Sequence, residues 1–249
     1  LNNIELVKLL LTNKKIDVNV RQIYKNGSTE IFIKTALFYS VINDLVEMVK
    51  LLINVKGIDM NAPINYELKA KGENGCCTDE SFTKPPLYRA LERGNIEVIK
   101  LLLSNKTIDV NIPCSYHMYS KSVSYKQWEC TPSSLESQMV ADEVDCDEYD
   151  MTPLYYAIKN KKIDYVKLIL ANNKVDVNKP FKNYWNAEQR VLGKSFDVTP
   201  LVCAVKTNDA AIVGLLLENK NINIDSKDKD GKKPIDYAKS DTILKLLKH

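Results

Sequence analysis

The chain has 249 residues, 45% of them hydrophobic and 27% charged, an ordinary globular balance that allows one large domain or two small ones. A net charge of +3 is too small to imply a nucleic-acid partner or an anionic membrane surface, and no apolar run approaches the length of a membrane span. Six cysteines are too sparse for a disulfide scaffold, so reduced thiols in an intracellular, cytoplasmic protein are expected.

The opening Leu1-Asn2-Asn3-Ile4-Glu5 has neither an initiator Met nor a signal-peptide pattern, and reads as excised from a longer chain or processed. Asn26 and Asn105 begin N-x-S/T triplets, which are as well explained by chance as by glycosylation. Ile4 to Asn19 reads as one helix followed by the phrase Ile16-Asp17-Val18-Asn19. That phrase recurs. A first full copy opens at Thr35-Ala36-Leu37-Phe38, passes Val49-Lys50-Leu51-Leu52 and closes at Ile58-Asp59-Met60-Asn61. The second opens at Pro85-Pro86-Leu87-Tyr88 and closes at Ile108-Asp109-Val110-Asn111. The third runs from Thr152-Pro153-Leu154-Tyr155 to Val175-Asp176-Val177-Asn178, and the fourth from Thr199-Pro200-Leu201-Val202 to Ile222-Asn223-Ile224-Asp225. Opening and closing residues are 26 apart in all four. Lys233 to Leu247 reads as a last, degenerate copy.

Each copy predicts a helix pair. Pro at the second position suits a first helical turn, and the Thr before it can cap that helix. Leu87, Ala90 and Leu91 form one apolar stripe, Arg93-Gly94-Asn95 a polar turn, and Ile96, Ile99, Leu102 and Leu103 a second stripe. Two short helices cannot bury such stripes alone, whereas stacked copies can.

These phrases resemble the ankyrin repeat, with its T-P-L-H-x-A opening, V-K-L-L-L second helix and D-V-N close. The resemblance covers the repeat cores, roughly half to two-thirds of the chain. It departs at the His position, filled here by Phe38, Tyr88, Tyr155 or Val202, so the usual cap-linking hydrogen bond of that His is absent. It also departs after the second helix, where a longer Asn/Lys turn such as Ser104-Asn105-Lys106-Thr107 replaces the family's single Gly. The expected fold is all-α: an ankyrin-like solenoid of stacked helix pairs with four full repeats, partial repeats at both ends and enlarged inter-repeat fingers. The whole chain, 1–249, is then a single domain. It comprises a partial repeat at 1–20, repeats at about 34–62, 84–112, 151–179 and 198–226, and a C-terminal capping repeat at 227–249. Insertions fall at about 20–34, 62–83, 112–150 and 179–197.

All the length variation lies in those insertions. About eight residues separate the closing and opening phrases in the family. Here the distances are 16, 24, 41 and 21, and only the last junction, Asp225 to Lys233, is eight. Four enlarged fingers are expected to build one continuous, irregular edge, and insertions on one face of a solenoid often mark its binding face. The largest, 112–150, holds Tyr116, His117, Tyr119, Tyr125 and Trp128 and carries a charge of −6 against +9 for the rest. It reads either as a partly disordered, solvated loop or as a segment that docks on the basic array or engages a partner.

Catalytic chemistry finds little support. His117 and His249 are the chain's two histidines. Cys114-x-x-His117 with Cys130 and Cys146 could ligate zinc, yet Cys spacings of 16 and 16 match no usual pairing, and Cys76-Cys77 cannot readily chelate as a pair. Phosphate-loop, zinc-protease and nucleophile-elbow motifs are absent. The recurring Asp17, Asp59, Asp109 and Asp176 read as structural turn residues. The expectation is a non-enzymatic protein without cofactor or metal, the alternative being an enzyme or metal-binding protein with its site in the long inserts. The resemblance implies a monomeric scaffold binding a protein or peptide through a concave face of fingers and first helices, with no nucleic acid and no membrane insertion. Alignment of the units places its variable helix positions at Ile42, Asn43, Glu92, Arg93, Lys159, Asn160, Lys206 and Thr207. The finger residues Tyr119, Tyr125, Trp128, Trp185 and Phe196 join them as candidate contacts, or else pack the fingers together.

Overall fold

The recurring apolar stripes fold as short helix pairs, and the fingers between them fold as strands. The computed structural model describes residues 3–26, 30–71, 77–124, 140–183, 198–228 and 230–248. Helix α1 (Ile4–Leu11) stands first, followed by strands β1 (Gln22–Asn26) and β2 (Glu30–Lys34). The four pairs are α2 (Ala36–Ile42) with α3 (Val46–Leu52), α4 (Pro86–Arg93) with α5 (Ile96–Ser104), α6 (Pro153–Lys159) with α7 (Ile163–Leu170), and α8 (Pro200–Lys206) with α9 (Ala210–Leu217). Between them lie β3 (Ile64–Lys71), β4 (Cys77–Lys84), β5 (Cys114–Ser124), β6 (Val140–Met151) and β7 (Lys182–Asn183). A 3-10 helix (Pro234–Tyr237) and α10 (Asp241–Lys248) end the described chain.

The first helices stack in one layer, α2 on α4 on α6 on α8, and the second helices in another, from α1 through α3, α5, α7 and α9 to α10. Leu37, Val41, Leu91, Ile99, Leu102, Ile158, Ile169, Leu201 and Ile212 are among the side chains buried between the layers. The predicted caps form: Thr35, Thr152 and Thr199 accept the backbone N–H of Phe38, Tyr155 and Val202 through their hydroxyl oxygens. Pro85, in the Thr position of the second unit, makes no such bond. Nine residues past each opening the backbone turns left-handed, at Asp44, Gly94, Lys161 and Asn208 (φ 53°, 83°, 53° and 56°).

The closing phrases tie neighbouring units together. Asn61 donates from Nδ2 to the Thr107 carbonyl (3.1 Å) and accepts the Asp109 N–H at Oδ1 (2.9 Å). Asn19, Asn111 and Asn178 bridge to the next unit in the same way. The carboxylates of Asp17, Asp59, Asp109 and Asp176 each accept the N–H two residues on, the turn role their periodicity predicts. The extra turn after the second helix is held likewise, with Asn105 and Asn172 accepting the N–H of Thr107 and Lys174.

The all-α expectation is wrong. The fingers form one seven-stranded antiparallel sheet in the order β1-β2-β3-β4-β5-β6-β7, not an irregular edge. The physical reason is a match of pitches. Packed helices repeat every 8–10 Å or so, and two strands at about 4.8 Å each occupy nearly the same distance. One hairpin per unit therefore meets its neighbours at hydrogen-bonding distance. The 112–150 insert is neither a free loop nor a separate docked segment along its described length. Its two limbs are the long strands β5 and β6, paired from Cys114↔Met151 to Ser124↔Val140. Residues 125–139 lie outside the described residues.

The two ends of the stack differ. Ile243 and Leu247 of α10 are buried on the last pair. At the other end Leu6, Leu9, Leu10, Val20, Ile23 and Tyr39 are exposed, and a cavity of about 590 Å³ opens between Val7, Val20, Tyr39 and Met48.

Candidate partner-binding surface

Directly paired residues on adjacent strands share a face. Tyr66↔Phe82, Phe82↔Tyr116 and Tyr116↔Tyr149 therefore place one aromatic row across the middle of the sheet. Tyr66 and Phe82 stack with centroids 4.7 Å apart, and Tyr116 and Tyr149 at 5.2 Å. Tyr149 meets Phe181 at 6.0 Å, and Phe181 stacks on Tyr155 at 4.6 Å, which carries the row from sheet to α6. Phe82 also lines a groove of about 270 Å³ between the sheet and the first helices, with Lys34, Phe38, Ile42, Ile64, Lys84 and Arg89.

Four units each place a lysine on an aromatic ring, and the lysines of the first two line this groove. Lys34 Nζ lies 5.2 Å from the Tyr39 centroid, Lys84 5.0 Å from Phe82, Lys159 5.8 Å from Phe181 and Lys206 4.0 Å from Tyr237. Ammonium ions favour such ring faces, so the pairs fix where positive charge is presented. The Tyr237 hydroxyl donates to Asp228, and that bond to a carboxylate pushes the phenol up to about 12. Glu92 interrupts the cationic run. It accepts Lys84 at 2.9 Å and Arg89 at 2.5 Å.

The sequence-predicted residues divide between two roles. Ile42 lines the groove, Glu92 holds the groove's Lys84 and Arg89, and Lys159 and Lys206 form ring contacts in the third and fourth units. The residues one step further serve the helix ends. Asn43 donates to the Tyr39 carbonyl and Asn160 to that of Tyr156, both at 2.8 Å, and the Thr207 hydroxyl donates to the Ala204 carbonyl. Arg93 reaches back to Asp44 of the preceding unit with Nη2 at 2.6 Å. Tyr119 lies on β5, while Tyr125, Trp128, Trp185 and Phe196 lie outside the described residues.

Sequence reasoning missed Lys34, Lys84, Tyr66, Phe82 and Tyr149. Their signal was positional. Phe32, Phe82, Tyr149 and Phe196 each stand three residues before a unit's opening, and Tyr24, Tyr66 and Tyr116 each stand five after a closing Asn. The Cys114-x-x-His117 pair does not chelate. On a strand, residues three apart point to opposite faces, and Cys114 is fully buried. Burial pushes its thiol up to about 12. Among the described residues no group of three His, Cys, Asp or Glu could hold a metal ion, and no helix is long and apolar enough to cross a membrane.

Family models for ankyrin repeats match residues 1–114 (a three-copy model), 149–179 and 197–229, together more than two-thirds of the chain. The chain belongs to the ankyrin-repeat family. Its fold is similar to that of the crystal structure of EF0377, an ankyrin repeat protein, at 21% identity and a TM-score of 0.51, over 99% of this chain and 90% of that one. The ankyrin repeat domain of Bcl-3, described as a unique member of the IkappaB protein family, matches at 17% identity and a TM-score of 0.45, over 98% and 91%. No curated protein matches the sequence. Ankyrin repeats are in general protein–protein interaction modules and not enzymes.

Proposed function

We propose that the chain is a protein-binding scaffold whose partner seats in the groove between the first helices and the aromatic face of the finger sheet. The observation that supports this most is the groove between sheet and first helices in the first two units, together with a lysine set on an aromatic ring in each of the four full units. Aromatic side chains and cations are the anchors protein interfaces favour, and here both stand on rigid helices and paired strands. Ile42, Lys159 and Lys206 are assigned as direct contacts. Asn43, Asn160 and Thr207 keep the first helices ended in register, and Arg93 joins consecutive units. Tyr119, Tyr125, Trp128 and Trp185 are assigned as further partner contacts. The molecule acts as a single, monomeric, intracellular domain spanning 1–249.

A photo-crosslinking amino acid placed at position 206 tests the reading, with position 100 on the outer face of α5 as control. Adducts with a protein from cell extract are expected from 206 and not from 100. Equal adducts at both positions, or none at 206, would count against the groove.

A further inference from the structure

Helices α3, α5, α7 and α9 each lie against the first helix of their own unit, and among the described residues α1 has no such helix. In every other respect α1 is a second helix. Ile4 stands fifteen residues before its closing Asn19, as Val46 and Ile96 stand before Asn61 and Asn111. The Asn3 side chain accepts the Leu6 N–H at 3.0 Å, as that of Asn95 accepts the Val98 N–H. Leu6 and Leu10 therefore correspond to Met48 and Leu52 and to Val98 and Leu102. Those four are at most 8% exposed, whereas Leu6 and Leu10 are 51% and 49% exposed. The facing wall, on α2, is open too: Ala36 and Tyr39 are exposed where their counterparts Pro200 and Cys203 of α8 are buried. The cavity of about 590 Å³ lies between these walls. At each later junction a first helix fills the matching place, packed on its own second helix and on the next first helix.

What fills that place has a constant chemistry. In α4 it is Leu87, Ala90 and Leu91, and in α6 Leu154, Ala157 and Ile158, all at most 2% exposed. A leucine is followed by a small residue three on and an aliphatic one four on, a spacing that sets all three on one helix face. We propose that this open end of the stack docks an amphipathic helix of a partner protein that carries the same three residue types at the same spacing. Seating the apolar face of a helix in an apolar groove is a general mode of protein recognition. A second copy of the chain cannot supply the helix, because its own first helices bury these residues in its own stack. The site does not rest on the groove between first helices and sheet.

Fluorescence anisotropy on the full chain tests this with a labelled peptide of residues 152–162, which carries the α6 stripe. A control peptide has Leu154→Ser and Ile158→Ser. The unaltered peptide is expected to bind about tenfold more tightly than the control. Leu6→Asp on one wall and Tyr39→Ser on the other should each weaken it about fivefold. Glu5→Ala should leave binding unchanged, since Glu5 stands where Glu47 and Glu97 stay exposed. Equal binding of the two peptides overturns the proposal, as does indifference to both wall substitutions or an equal loss with Glu5→Ala. A chain that sediments as a dimer, and as a monomer with Leu6→Asp, would assign this face to a second copy and overturn it as well. Crosslinking at position 206 reads the groove alone. Adducts there without peptide binding would leave the scaffold reading standing while the helix site falls.

Discussion

At the scale of single residues, the turn between the helices of each unit demands a left-handed backbone, and one of four units meets it with glycine. Gly94 adopts φ 83° without a side-chain penalty, whereas Lys161 sits at 53° with a Cβ. A non-glycine residue there costs roughly 1–2 kcal/mol, partly offset in the glycine variant by its freer unfolded chain. The Lys161 side chain is exposed, so Lys161→Gly should stabilise by about 0.5–1 kcal/mol. Asp44→Gly should gain less, because the Asp44 carboxylate holds Arg93 of the next unit. Urea denaturation of both variants decides this, and a lower midpoint for Lys161→Gly would refute it. The same ion pair gives Arg93 a role the sequence did not show. Arg93 aligned with a surface position proposed to contact a partner, and a carboxylate 49 residues earlier is folded next to it.

At the scale of elements, the helices were legible and the strands were not. An apolar stripe at helical spacing is a local signal: Ile99 and Leu102 of the predicted stripe are buried in α5, though Val98 is buried beside them and the predicted Ile96 is exposed. Leu102 is fully buried at the seam between neighbouring units, so Leu102→Ala should cost about 2–5 kcal/mol. Lys106 is exposed and offers its neighbours only its backbone carbonyl, so Lys106→Ala should stay within about 0.5 kcal/mol. Thermal denaturation of both checks the assignment, and equal losses would argue against the helix. The strands lack such a signal. Cys77-Thr78-Asp79-Glu80-Ser81-Phe82 is mostly polar, and its pairing to the next finger joins residues 34 or more apart that the helix stack brings alongside. The groove was accordingly half visible. Ile42 on its helix side followed from aligning the units, while its sheet side needed the register that puts Phe82 opposite both Tyr66 and Tyr116.

At the scale of the whole molecule, two continuous systems couple the units: the asparagine ladder under the helices and the sheet through the fingers. They meet at the junction between the second and third units, which spans the longest insert. There Asn111 donates to the Lys174 carbonyl (2.8 Å) and accepts the Asp176 N–H (2.7 Å). Each bond contributes about 0.5–1.5 kcal/mol, so Asn111→Ala should cost roughly 1–3 kcal/mol. In a purely nearest-neighbour solenoid, weakening one interface lets the two halves unfold separately. Here β5 pairs with β4 of the preceding finger, so the sheet crosses the weakened junction. Asn111→Ala should therefore lower the urea midpoint while preserving one transition with an unchanged slope. A split into two transitions would show that the fingers, although hydrogen-bonded side by side, do not share the mechanical load of the stack. The stack could then bend between its second and third units.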